Sequence, residues 1–160
     1  MSAESDSKVI VFGEPHEGEL KRYSVSAVIQ RKTDGKFLLL KWKEYDWLSP
    51  CVGGIDGDES PEEAAEREVL EETGYHAKAI KKLGGLIESH FFAEHKNLWR
   101  HRIDQPVLLE LTSEERESVS DDELKRHEVI WITLDEALKK ITHKYNCICI
   151  CRYLGLEWKP

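Results

Sequence analysis

Residues 53–75 read GGIDGDESPEEAAEREVLEETGY, and the placing of small and charged residues there sets the reading of the whole chain. Ser60 and Glu63 have the spacing of a capping box, and Pro61 falls at the first helical position, so a helix is predicted to start there. Gly74 is its expected stop, because helices commonly end on a residue that tolerates a left-handed backbone. On that helix Glu68 and Glu72 lie one turn apart with Glu71 beside them, which brings three carboxylates near one face. Arg67 and Glu71 form an i, i+4 pair. Like charges at this spacing repel by a few tenths of a kcal/mol unless something neutralises them. A hard divalent cation does so, since Mg²⁺ prefers carboxylate and phosphate oxygens together. A solvated acidic helix face is the plain alternative.

The wider pattern favours the metal. Gly53, Glu59, Arg67, Glu68, Val69, Glu71, Glu72, Gly74 and Tyr75 fill every defining position of G-x5-E-x7-R-E-U-x-E-E-x-G-U, with Tyr75 as a bulky final member. In this the chain resembles the Nudix hydrolases. The resemblance implies an α/β fold, an α/β/α sandwich with a central mixed sheet. It implies hydrolysis of a nucleoside diphosphate linked to another group X, dependent on Mg²⁺ or Mn²⁺, with a metal-activated water attacking phosphorus. Glu68 and Glu72 correspond to the main metal carboxylates. Glu71 is a further ligand or the partner of Arg67, and the backbone carbonyl of Val52 or Gly53 corresponds to another ligand. Glu59 takes a supporting place. Family members differ in their general base, which is either the helix Glu matching Glu68 or a carboxylate of a later loop. The loop candidates are Glu114, Glu115, Glu117, Asp121, Asp122, Glu123 and Glu128, with Glu128, just before the EVIWI run, favoured.

The chain also departs from the pattern. Relatives often read P-G-G before the box, whereas here Pro50-Cys51-Val52-Gly53-Gly54 shifts the Gly pair by one residue, and Asp58 stands where Gly usually precedes Glu59. The SQPWPFP stretch of NADH pyrophosphatases is absent. Position 90 is His rather than the Pro typical of ADP-ribose enzymes, and Phe91 and Phe92 stand where diadenosine-polyphosphate enzymes often carry Tyr. The box therefore speaks to reaction class more than to substrate. A fainter similarity, to Nudix domains appended to leucyl-tRNA synthetases, suggests the second class of function: a module that holds a nucleotide or RNA without cutting it. Such modules often lose a box carboxylate, and this chain keeps all of them.

Composition sets the bounds. A chain of 160 residues with 40% hydrophobic and 34% charged residues suits one globular domain, expected over residues 9–160 behind a frayed tail at 1–8. No apolar run approaches the roughly 20 residues of a membrane span, and MSAESDSK is not a signal peptide, so the cytoplasm is the expected location and no membrane partner is expected. The net charge of −8 argues against non-specific nucleic-acid binding, which needs many Lys and Arg contacts. A small nucleotide diphosphate derivative is the expected partner, and a homodimer is left open. Cys147, Cys149 and Cys151 read C-x-C-x-C near His143. They lack a second zinc-finger pair and are expected, with Cys51, to be buried and reduced, a soft-metal site being the alternative.

Outward from the box, strands are expected at 8–12, 23–30, 37–41, 107–111 and 128–132, with 37–41 as the hairpin partner of 23–30. A long or bent strand is expected at 77–92, kinked at Gly84-Gly85. Residues 112–127 read as a polar loop or short helix, and helices are expected at 134–141 and 146–154. Trp42 and Trp47 lie just ahead of the box, where they can stack a base or fill the core. The stretch SHFFAEHKNLWRHRIDQP gathers positive groups in an acidic chain. His90, Phe92, Arg100 and Arg102 are its candidates for substrate contact, Arg by its bidentate fork. A solvated β-hairpin is the alternative there.

Overall fold

In the computed structural model, which describes residues 8–158, the helix predicted from the capping box is α1, Pro61–Thr73. The Ser60 side chain accepts the Glu63 N–H at 3.1 Å, Pro61 opens the first turn, and Gly74 closes the last with φ 77°. Ala64, Ala65 and Val69 are fully buried beneath the helix. Burying a side chain the size of Val69 stabilises the fold by about 1.5–3 kcal/mol.

The strands are β1 (Ile10–Phe12), β2 (Leu20–Val28), β3 (Phe37–Trp42), β4 (Leu48–Ser49), β5 (Cys51–Gly54), β6 (Tyr75–Lys82), β7 (Ile87–Ala93), β8 (Leu98–Arg116) and β9 (His127–Ile132). Three further helices follow α1: α2 (Asp121–Arg126), α3 (Leu134–Lys140) and α4 (Cys147–Leu154). Among the described residues, one mixed sheet runs β1-β7-β8-β2-β5 with β6 also paired to β8, and a second runs β4-β3-β9. Two apolar layers cover the sheets. Val25, Ala27, Leu38, Leu40, Val107 and Leu109 pack under α1, while Val28, Phe37, Leu39 and Leu48 pack with Ala137 of α3 and Cys147, Cys149 and Ile150 of α4. The architecture is the expected α/β/α sandwich.

Strand β8 is the spine. One edge carries β2 in parallel, from Leu20 opposite Arg100 to Val28 opposite Leu108. The other carries β7 and then β6, both antiparallel. The expected strand at 77–92 is therefore two strands in line along one neighbour, interrupted at Leu83–Leu86, where Gly84 takes φ 75°. Glu66 of α1 accepts the Ala79 N–H at 2.9 Å within the bulge of β6, so helix and bulge fix each other. The expected hairpin of 23–30 with 37–41 holds at its turn alone: Gln30 bridges Phe37, Leu38 N–H donates to Ile29 O at 3.0 Å and Arg31 N–H to Lys36 O at 2.8 Å, while β2 and β3 proper enter different sheets. Residues 112–116 extend β8 rather than forming a loop. Residues 1–7 of the expected tail lie outside the described residues.

All four cysteines are free and buried. The Cys149 thiol points at the Asn146 carbonyl at 3.0 Å, and burial pushes its pKa well up. Among the described residues, the group close enough to hold a metal ion includes none of these thiols.

The end of α1 gives a test of the packing. A Cβ on Gly74 would stand 2.0 Å from the Glu117 carbonyl oxygen, and Glu117 N–H already donates to Gly74 O at 2.8 Å. Gly74→Ala is expected to cost about 1–3 kcal/mol from the left-handed backbone alone, measured as a lower urea midpoint. An unchanged midpoint would show that the junction of α1 with β8 relaxes freely.

Candidate functional site

Strand β5 brings Gly53 beneath α1. A Cβ on Gly53 would lie 2.0 Å from Glu68 Cδ, so no other residue lets the strand and this carboxylate meet as they do. Glu72, one turn on, is 7% exposed, and its Oε2 is buried without a hydrogen-bond partner. Burial first, then the hydrogen bond and charge of Glu68, push the Glu72 acid well above the usual carboxylate range. Two carboxylates share one partly dry place, and an orphaned buried oxygen costs about 1–3 kcal/mol. A divalent cation would satisfy both, and the oxygen donor set suits Mg²⁺ or Mn²⁺.

Arg67 organises the rest. Its Nε and Nη2 donate to the two oxygens of Glu59 at 2.7 and 2.9 Å, and Nη2 also donates to Gly54 O at 2.9 Å. Nη1 donates to Glu68 at 2.9 Å and to Glu71 at 3.2 Å, and Asp56 stands 3.3 Å away. Arg67 holds Glu59 down at a pKa of about 2. Glu71 is 56% exposed and serves here as a partner of Arg67, one of the two roles open to it.

Of the later carboxylates, Glu123 comes to this place. It hydrogen-bonds His127 Nε2 at 2.7 Å, pairs with Arg126, and its charge acts on both Glu72 and Cys51. Glu128 sits elsewhere. Along β9, Val129 and Trp131 pack toward the α1 layer, while Ile130 and Ile132 pack toward the α3 and α4 layer. The two-residue period of a strand puts exposed Glu128 with the latter pair, on the face turned away from α1. Strand parity thus turns Glu128, the carboxylate favoured from the sequence, away from α1, and Glu123, another of the later candidates, lies on α2.

The cationic stretch divides in the same way. Arg102 is not a free phosphate ligand: it is buried, donating to Ser24 Oγ at 2.8 Å, Ser26 Oγ at 3.2 Å and Asp104 Oδ1 at 2.7 Å. His90 is engaged too, by Glu19 at 2.6 Å, with its side chain 8% exposed. Trp42 packs against the α1 layer with its indole N–H on Ser49 Oγ at 2.9 Å and its ring edge-on to His127, so it fills the core. Phe92 is 42% exposed against Trp99, and Trp47 stacks on exposed Tyr45; both remain accessible.

Arg100 lines an open cleft with Arg22, Arg102, Phe91, Ala93, His95 and Lys96. Arg22 was missed in the sequence. Its guanidinium lies over Gly54, about 3.2 Å from where a Cβ would be, and the charges of Arg100, Arg102, Glu68 and Asp56 all act on it. Among the described residues neither Arg22 nor Arg100 has a carboxylate within ion-pair distance. Arg22 therefore links the cationic cleft to the carboxylate pair. The available signal was its position two residues before Ser24 on a strand, the same face as Arg102's partners.

Comparison with known proteins gives a consistent picture. The family model described as the NUDIX domain matches residues 20–148. An ADP-ribose pyrophosphatase of Bacillus subtilis (strain 168) is 31% identical over 128 residues, 76% of this chain and 64% of that protein. A GDP-mannose pyrophosphatase of Yersinia enterocolitica is 36% identical over 100 residues, 58% of this chain and 49% of that protein. The chain thus spans between about half and two thirds of the length of these curated relatives. Among solved structures, a MutT NUDIX hydrolase from Burkholderia pseudomallei superimposes with a TM-score of 0.60 at 27% identity, covering 82% of this chain and 98% of that one.

The fit of Gly53 to Glu68 can be tested directly. Gly53→Ala is expected to expel the Glu68 carboxylate from its seat and weaken Mn²⁺ binding at least about 10-fold, a loss like that from removing a metal ligand's support. Titration calorimetry measures it, with circular dichroism expected to show α1 intact. Unchanged affinity would mean that Glu68 does not hold the metal from this position.

Proposed function

The chain belongs to the Nudix family of hydrolases, and on that premise we propose that it hydrolyses a nucleoside diphosphate linked to a second group X. One observation carries the reading: a carboxylate pair, Glu68 partly covered and Glu72 buried with an orphaned oxygen, faces Arg22, which has no carboxylate within ion-pair distance among the described residues. The diphosphate then spans the two, its reacting phosphoryl group beside Glu68 and Glu72 and its further charge beside Arg22 and Arg100. Arginine suits this place because its fork meets phosphate oxygens in pairs.

Glu68, Glu72 and the Gly53 carbonyl would hold a divalent cation, with Glu71 able to join them on release from Arg67. Bound there, Mg²⁺ or Mn²⁺ supplies Lewis acidity and lowers the pKa of water. The residues of the chain do the remaining work. Arg67 fixes the Glu68 oxygen, and Arg22 and Arg100 orient the substrate by charge. Glu123 is better placed than Glu128 to accept the proton of the attacking water, being positioned by His127 and Arg126. Phe92 and Trp47 offer flat surfaces for the nucleoside or X. The substrate class draws support from the two pyrophosphatases named above, both of which by name act on a nucleoside diphosphate bearing a sugar. A reducing compartment, the cytoplasm, suits four free cysteines.

Two variants test the division of labour. Glu68→Gln keeps size and helix propensity but loses a charge, so kcat is expected to fall about 10²–10⁴-fold with the fold intact. Glu62→Gln, in the first turn of α1, is expected to leave activity unchanged. Measured with Mg²⁺ and Mn²⁺ on ADP-ribose, GDP-mannose and a dinucleotide polyphosphate, equal turnover by wild type and Glu68→Gln on all three would remove the hydrolase reading in favour of a binding module.

Arg22→Ala and Arg100→Ala are expected to raise KM on the best of these substrates at least about 10-fold, the cost of roughly 1.4 kcal/mol of phosphate contact. Metal affinity should stay as in wild type. Wild-type KM in both variants would show the cleft to be a solvated surface.

A further inference from the structure

A second group of ligating side chains lies away from α1, where the β7–β8 hairpin meets the segment leading into β2. His90 and His101 are direct cross-strand partners. Their rings are nearly parallel, 17° apart, with centroids separated by 4.2 Å. A ring nitrogen of each is taken by a carboxylate: His90 Nδ1 by Glu19 Oε2 at 2.6 Å and His101 Nε2 by Glu88 Oε1 at 2.7 Å. The side chains are well covered, His90 8%, Glu19 12%, His101 17% and Glu88 25% exposed. One ligating atom from each of Glu19, His90 and His101 lies within 4.8 Å of the other two.

An ordinary reading is a pair of stacked imidazoles, each donating to its own acid. That arrangement brings two carboxylates and two ring systems into a small covered space, where protonating both rings at once would place like charges side by side. A dication settles the balance differently. Two neutral imidazole nitrogens and one carboxylate oxygen make a donor set that suits zinc and its neighbours, and that suits Mg²⁺ poorly.

We propose that Glu19, His90 and His101 form a second cation site, taking a transition-metal dication of the Zn²⁺ class, with Glu88 orienting His101 from behind. Bond lengths of roughly 2.0–2.2 Å require the Glu19–His90 pair to open and the His101 nitrogen to draw in by on the order of 1 Å, movements within reach of side-chain rotation. The proton on His90 Nδ1 passes by way of solvent to Nε2 of the same ring as the metal takes its place, so His90 stays a neutral ligand and no net proton is released. Glu88 stays hydrogen-bonded to the far nitrogen of His101 and fixes the tautomer that leaves the other nitrogen free. The ion ties the approach to β2 onto the hairpin whose turn, Glu94–Lys96, carries two side chains of the cationic cleft. It rests on residues separate from Glu68 and Glu72 and stands whether or not the chain hydrolyses a diphosphate.

The experiment is calorimetric titration of the full chain with Zn²⁺ in millimolar Mg²⁺, which occupies the α1 carboxylates. Wild type is expected to bind one Zn²⁺, and its thermal midpoint to rise with Zn²⁺. Glu19→Gln and His101→Gln are expected to weaken binding at least about 10-fold, and Glu88→Gln by about 10–100-fold. Glu68→Gln should bind Zn²⁺ as wild type does. Co²⁺ gives a reading independent of heat: the absorption bands of a low-coordinate site should persist in Glu68→Gln and vanish in His101→Gln. Should His101→Gln fail to fold by circular dichroism, Glu19→Gln and Glu88→Gln carry the same comparison. No Zn²⁺ uptake by wild type, or uptake abolished by Glu68→Gln and untouched by Glu19→Gln and Glu88→Gln, overturns the proposal.

Discussion

The Arg67 guanidinium touches Glu59, Glu68, Glu71, Asp56 and the Gly54 carbonyl, and the shape of the acidic box follows from that one cation. Its planar fork meets both oxygens of Glu59 while its remaining N–H groups turn to the helix and to β5, a division that a lysine ammonium has no geometry to copy. The loop from Gly54 to Glu59 is thereby tied to the middle of α1. Gly53 can approach Glu68 closely because the carboxylate is held on its far side. Without this cation four acidic side chains would face one another across a loop, and their repulsion would oppose the apolar packing that holds α1 on the sheet. The site's electrostatic design is thus lopsided: Arg67 serves Glu59, Glu68 and Glu71, and Glu72 is left with an unpartnered oxygen.

The box was legible because its signals are local. Ser60, Pro61 and Gly74 mark a helix by capping chemistry alone, and the carboxylates within it have fixed relative positions at 3.6 residues per turn. The layered architecture was legible from the box resemblance and the order of apolar runs. Strand partners were not. The alternating run at 23–30 and the apolar run at 37–41 look like a hairpin across a Thr-Asp-Gly turn, yet β2 finds β5 and β8, because those strands complete the layer under α1. The identity of a partner is settled by which faces can be buried together, and that information is spread over the whole chain.

Site residues outside the box show the same limit at finer scale. Arg100 and Arg102 read alike in sequence, and both point to one face of β8. Asp104, two residues beyond Arg102, lies on that face too and draws Arg102 into a buried network with Ser24 and Ser26. Arg100 has no such neighbour. The neighbours His127, which holds Glu123, and Glu128 are likewise divided by strand parity along β9. Arg22 carried no motif at all. Its role appears when β2 is laid beside β5 and the bare backbone of Gly54 leaves room for it.

The pairing of β2 with β8 has a consequence for how the chain is made. Ser24 and Asp104, joined by a buried hydrogen bond, are 80 residues apart in sequence. At synthesis rates of about 5–20 residues per second, β8 follows β2 out of the ribosome by roughly 4–16 s. For that interval β2 has β5 along one side and nothing along the other, with Val25, Ala27 and Val28 beside an open edge. An unpaired apolar edge is a template for pairing with another chain. Until its spine arrives the nascent molecule carries that open edge, and long-range parallel closure of this kind is intrinsically slow.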